Sequence, residues 1–504
     1  MSSPDAVAGA PGARPTLSAI FLIALVPFLV LATANSAGYR YGASDQAFYV
    51  PAVLEAMNPA LFPRDSHLIA SQARLTLFDE VIGGAARVTG LALPVMLALF
   101  QVMTLGLLAW GVIRIGDVFY RTRWAVAALL FLTTLRHAIS KSGTNTLEGY
   151  FHPRQLAFAL GTIAVAEFLR GRQAGVWVLL ALAGTLHPTT TLWFAIWMSV
   201  ATFVAEPRWR RHLLAAGAVA GVIAGWALVA GPLAARLVTM DAEWLATLSA
   251  KDYLFPARWP VVTWLTNLAY VPVIVGIYRY RRAHGALLPR ETGLVAGCLA
   301  LVLVFLALLP FNIARTALAI QLQPARTFWM LDLLAGVYLV WACAEGLSAG
   351  AARARAVAAV LALVSVGRGT YIMTVEFPDR ALAEVTAGDG DWSRIMNRVR
   401  ASEPGSAWLV DPGHAARYGS SLRLAGRDVF VEGIKDSAIG MYERDVALRT
   451  RDRVREIGDF PALTPERARE LAAAHGLDYL ITESSLALPE VFSSGTIKIY
   501  RLRP

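Results

Sequence analysis

Apolar positions along this chain run in long blocks instead of the short periodic clusters of a soluble core. Stretches long enough to cross a bilayer, about 17–25 residues, lie near 17–37, 88–113, 213–231, 263–278, 292–309, 326–344 and 356–374. Four more runs, 124–137, 154–169, 175–187 and 189–205, are shorter or bounded by charges and by the His187-Pro188 break, yet too apolar to leave in water. The pattern predicts a polytopic α-helical membrane protein with eleven spans. Short, broken runs in the first half predict helices that end inside a protein-lined cavity.

Near residue 375 the pattern changes to soluble alternation. Val385 to Asp391, with two Gly and two Asp, reads as a linker. Beyond it Trp392–Ala401 reads as a helix, and Ala407–Val410 and Asp428–Glu432 as strands. Ala438–Ile457 reads as one long charged helix. Thr464-Pro465-Glu466 opens another helix that Gly476 closes, and Asp478–Thr482 and Thr496–Leu502 supply further strands. The expected division is a transmembrane domain over residues 1–374, a linker over 375–390 and a soluble α/β domain over 391–504.

Charge sharpens the picture. Only 16% of residues are charged, whereas a soluble domain is about a quarter charged. The net +10 is uneven: 28 basic and 16 acidic residues up to 374, then 18 and 20. The arginines sit in clusters between apolar runs, which marks membrane topology and not a nucleic-acid surface. With the N-terminus inside, the loops 114–123, 170–174, 206–212, 279–291 and 345–355 carry 14 arginines, whereas the longer outer loops carry nine basic residues. An odd span count then puts the C-terminal domain outside. The run 17–37 also admits a reading as a cleaved signal peptide, since Ala32-Thr33-Ala34 and Ser36-Ala37 are small, although a lone Arg14 is a weak basic region. Cys298 and Cys343 lie in apolar runs, so no disulfide framework or Cys-based metal site is available. No G-x-G-x-x-G or Walker loop follows a strand, and no pattern specifies an oligomeric state.

Candidate chemistry concentrates in the outer loops. The first begins Tyr39-Arg40-Tyr41-Gly42-Ala43-Ser44-Asp45-Gln46-Ala47-Phe48-Tyr49 and precedes a surface helix, so Asp45 reads either as a helix N-cap or as a functional acid, and Asp65 as a solvated loop residue. The second, Lys141 to Gln155, holds Glu148, His152 and Arg154 within seven residues, an acid, an imidazole and a guanidinium able to flank a sugar-phosphate or to cap the neighbouring helices. His187, Arg315 and Arg326 are further candidates for an outer cavity or a lipid phosphate. Lys435, Glu443 and Arg444 read as domain-interface residues.

The order of a first span, an outer loop opening with an acid, a surface helix, some ten further spans and an outer C-terminal domain resembles the GT-C superfamily of lipid-linked-sugar glycosyltransferases. Asp45-Gln46-Ala47-Phe48-Tyr49 resembles the catalytic first loop of its bacterial arabinose- and mannose-transferring branches, and E-G-Y-F-H-P-R-Q at 148–155 looks like an uncharacterised bacterial multi-pass family of this architecture. The resemblance implies a bacterial inner-membrane enzyme of the cell envelope that takes a sugar from a polyprenyl-phosphate donor and works among membrane lipids, without nucleic acid. Asp45 and Glu148 would be catalytic; Lys141, His152, Arg154, His187, Arg315 and Arg326 would bind substrate. Gln46 stands where metal-using members carry a second acid, which puts a divalent metal in doubt, and no other cofactor is expected. Two other classes stay open: a non-catalytic membrane scaffold and a lipid or solute transporter, the latter without a clear inverted repeat.

Overall fold

The computed structural model describes residues 17–347, 350–386 and 388–503. Each of the eleven apolar runs is helical. Among the described residues seven helices are long and apolar enough to cross a membrane by length and composition: Leu93–Phe119, Pro188–Ala205, Pro207–Val229, Val261–Ala283, Glu291–Ile313, Ala317–Ala344 and Ala351–Glu376. Ile20–Ala34, Arg123–Thr133 and Gln173–Leu186 are shorter apolar helices.

The helix Pro153–Leu169 is different, because every one of its residues is buried. A helix buried on all sides lies in the middle of a bundle, and the packing here is close. A Cβ at Gly161 would fall 2.4 Å from the Phe194 ring, so only glycine fits. Phe158 stacks on Trp329 with ring centroids 3.9 Å apart. His152 caps this helix and Pro153 occupies its first turn, where a missing N–H costs nothing.

Short strands tie distant segments together. β1 (Tyr39–Arg40) follows the first helix, β2 (Ala138–Ile139) and β3 (Thr144–Asn145) form a hairpin, and β4 (Ala383–Glu384) pairs in parallel with β1. The segment expected to be a free linker is therefore anchored at its middle. It also begins inside a helix, since Ala351–Tyr371 runs on through a π turn to Glu376.

The C-terminal region carries a five-stranded sheet in the order β6-β5-β7-β9-β8, built from β5 (Ala407–Val410), β6 (Asp428–Val429), β7 (Tyr479–Thr482), β8 (Glu490–Ser494) and β9 (Ile497–Arg501). β5 runs parallel to both its neighbours and is buried at all four positions, as an inner parallel strand should be. Two features differ from the sequence expectation. β8 is an additional strand, and the helix expected at 438–457 breaks into Gly433–Ile439 and Arg444–Ile457. The break is held by side chains from the helical region: Trp244 Nε1 donates to the Gly440 carbonyl at 2.7 Å and Gln321 Nε2 to that of Met441 at 2.9 Å. Local helix propensity is overridden by partners more than a hundred residues away.

Asp65, read from the sequence as solvated, is 1% exposed. Its carboxylate accepts from Arg423 Nε at 2.8 Å, from the Val429 N–H at 3.0 Å and from Arg449. Arg423 also donates to Asp436 at 2.9 Å. This buried network fastens the first loop to the C-terminal sheet.

Candidate active site

A cavity of about 640 Å³ lies where the first loop, the β2–β3 hairpin, the N-terminus of Pro153–Leu169 and the helix Gly433–Ile439 meet. Asp45, Glu148, His152, Arg154, His187 and Arg326 all line it. Lys141 and Arg315 do not. Lys141 turns to the surface and pairs with Asp252, and Arg315 is exposed at the far end of its loop.

Asp45 stands at the N-cap position of Gln46–Met57, but its side chain makes no cap hydrogen bond. It reaches into the cavity. Lys435 Nζ lies 2.7 Å from Asp45 Oδ1, and His152 Nε2 lies 3.2 Å from Asp45 Oδ2. His152 Nδ1 accepts the Arg154 N–H at 3.0 Å, so its proton belongs on Nε2 and is donated to Asp45. The preceding Ser44 has φ 50°, and Ala37, Arg136 and Gln323, also on the cavity wall, share positive φ. Such backbone is costly for non-glycine residues and gathers at functional sites.

Glu148 and Arg154 form a buried pair at 3.0 Å, with Asn145 Nδ2 also donating to Glu148. The two carboxyls are pushed in opposite directions. Burial works to raise Asp45, but Lys435 and the His152 hydrogen bond outweigh it and hold the group well below the usual carboxylate range. Burial keeps Glu148 raised despite Arg154. Separated environments of this kind divide acid from base roles.

Burial and then Arg154 push the His152 imidazole down to about 3. His152 is therefore a neutral hydrogen-bond donor. Its ring resonances in a histidine-labelled sample should stay put between about pH 5 and 8; a midpoint inside that window would mean that the resting site takes up a proton there.

Among the described residues, seven cationic side chains line the cavity against two carboxylates. Sequence reasoning found Arg154 and Arg326. It missed Arg40, Arg136, Lys251 and Arg380, and it assigned Lys435 to an interface. Arg326 is 8% exposed, its Nε has no hydrogen-bond partner, and among the described residues no carboxylate pairs with it. A buried guanidinium without a counter-charge is expensive, so it marks the place where an anionic ligand would be most strongly held. His187 sits near it with its ring 6.2 Å from His152, and burial and Arg326 keep its imidazole neutral.

Each cavity carboxylate already faces a cation, and Gln46 is turned away, accepting from the Gly42 N–H at 2.7 Å and donating to the Phe151 carbonyl at 3.1 Å. Elsewhere, among the described residues, His67, Glu443 and Asp445 have atoms spaced for a metal, but Arg74 also bonds Glu443 and the group is largely exposed. No family model matches the chain, and no curated protein matches it.

Proposed function

We propose that the protein is a membrane glycosyltransferase of the GT-C kind, moving a sugar from a polyprenyl-phosphate carrier to an acceptor hydroxyl on the outer face of a bacterial inner membrane. The observation that carries this reading is the meeting of an ionised carboxylate, Asp45, with an uncompensated buried arginine, Arg326, in one cation-rich cavity. An inverting transfer needs both. As the acceptor oxygen bonds to the anomeric carbon, its proton passes to Asp45, and the bond from that carbon to the phosphate oxygen breaks. The leaving polyprenyl phosphate keeps the electron pair, and Arg326 with Arg136 neutralises it. Lys435 and His152 hold Asp45 in place, while Glu148 fixes Arg154 at the cavity floor. No metal is required in this scheme. The arginine-rich loops on the opposite side support an inside N-terminus and an outside C-terminal region.

The test is sugar transfer by the purified full chain in liposomes supplied with polyprenyl-phosphate sugars. Arg326→Gln should raise the apparent KM for donor by roughly 10- to 100-fold, the worth of a hydrogen bond to a charged group. Arg315→Gln should leave it unchanged. An unaltered donor KM in Arg326→Gln would remove the phosphate assignment, and wild-type protein inert with every donor would favour a non-catalytic scaffold.

A further inference from the structure

A second cavity, of about 500 Å³, opens beside the first against the C-terminal region. Its volume lies within the range of small-molecule sites, about 300–1,000 Å³. The two share Arg40, Ser44, Arg380 and Lys435 as a common wall. Lys435 Nζ spans that wall, 3.2 Å from Ser44 Oγ and 2.7 Å from Asp45 Oδ1. Whatever occupies the second cavity is thus one side chain away from the carboxylate of the first.

Three features define what it would hold. Arg40 and Arg380 stand close enough to repel each other; Glu384 offsets part of the charge on Arg380, but among the described residues neither arginine forms a direct ion pair. Arg380 instead lies over the Phe377 ring. Together they form a doorway that favours an anion. Glu432, at 0% exposure, lines the same cavity; its Oε2 accepts the Lys435 N–H at 2.6 Å, but its Oε1 has no hydrogen-bond partner. A buried carboxylate oxygen without a donor is costly and is satisfied by a ligand hydroxyl. Burial and the neighbouring Asp436 push Glu432 up to about 7. The third feature is the rim: Tyr418 stacks on Trp392 at 4.4 Å, and Trp392 Nε1 donates to Ser420 Oγ at 3.0 Å, so a rigid aromatic pair backs the loop 415–421.

We infer that the second cavity is the acceptor subsite and that the acceptor is an acidic saccharide, its acid group on Arg40 and Arg380, one hydroxyl on Glu432, and another presented across the shared wall to Asp45. This rests on the glycosyltransferase reading for the role of the bound molecule, though not for its binding.

Binding is measured on the purified full chain in detergent without any donor. Short oligogalacturonate serves as the acidic probe and a neutral galactan oligomer of equal length as its counterpart, with saturation-transfer NMR and tryptophan emission as readouts. Oligogalacturonate should bind at least about tenfold more tightly than the neutral oligomer. Arg380→Gln and Arg40→Gln should each weaken it about tenfold. Glu432→Gln keeps the bond to the Lys435 N–H yet cannot offer a second acceptor oxygen, and should weaken it several-fold. Trp392→Phe should remove the emission change and leave the NMR signal. Equal binding of the two oligomers, no binding of either, indifference to Arg380→Gln and Arg40→Gln, or indifference to Glu432→Gln, whose residue lines the second cavity alone, would overturn the proposal. Failure of the two readings is distinguishable. Binding without transfer from any lipid donor sinks the enzyme and leaves the subsite; transfer whose acceptor KM ignores Arg380→Gln sinks the subsite and leaves the enzyme.

Discussion

Replacing Asp45 with asparagine is expected to lower sugar transfer by a factor of about 100 or more, the usual worth of a positioned general base. The substitution changes little else. The asparagine oxygen still accepts from Lys435 or His152, so the fold should persist, with a loss of stability at neutral pH from the missing ion pair. Because Lys435 and His152 hold the wild-type carboxyl well below its usual range, Asp45 is ionised throughout neutral and mildly acidic pH. Any loss of rate in that window should therefore come from another group. A weakly basic carboxylate still suffices, since the hydroxyl proton becomes more acidic as the new glycosidic bond forms. The measurement pairs initial transfer rates in liposomes with thermal unfolding followed by intrinsic fluorescence. Full activity in Asp45→Asn would remove the central claim, whereas a large drop in stability would make Asp45 a structural tie between the loop and Lys435.

Asp65→Ala should be strongly destabilising, by about 3–5 kcal/mol, because it leaves Arg423 and Arg449 facing a gap where their shared carboxylate stood. Asp65→Asn should cost less, since the amide oxygen can keep the Val429 N–H. Burial works to raise the Asp65 carboxyl, but Arg423 and Arg449 overcome it and hold it below its ordinary value. With the folded pKa depressed, the stabilisation is present above the unfolded value of about 3.9 and is lost as pH falls through the folded one. The effect should be visible as a lower melting temperature and as faster proteolysis between residues 376 and 391. It should also reach the cavity. Lys435 is carried by the C-terminal region and touches Asp45 only while that region is docked, so Asp65→Ala should impair transfer without touching the site. A variant as stable as wild type would show that docking depends on other contacts.

The order of apolar runs by itself determined where the helices lie, because burial of about twenty successive apolar residues leaves a chain few alternatives. The turn to soluble alternation near 375 likewise announced the C-terminal sheet, and four strands were readable from their local pattern. The segment 148–154 and Asp45 stood out because charges at the ends of apolar runs need a reason. Tertiary structure decided the rest. Whether Asp45 caps a helix or faces a cavity depends on Lys435, 390 residues away; whether Asp65 is wet or buried depends on Arg423, 358 residues away. The break before Arg444 follows from Trp244 and Gln321, and Lys141 lies outside the site in a pair with Asp252, 111 residues away. Local sequence specifies periodicity, and periodicity specifies helices and strands. Ion pairs between loops are set by how those finished elements dock, and docking is a property of the packed whole that no window of neighbouring residues carries.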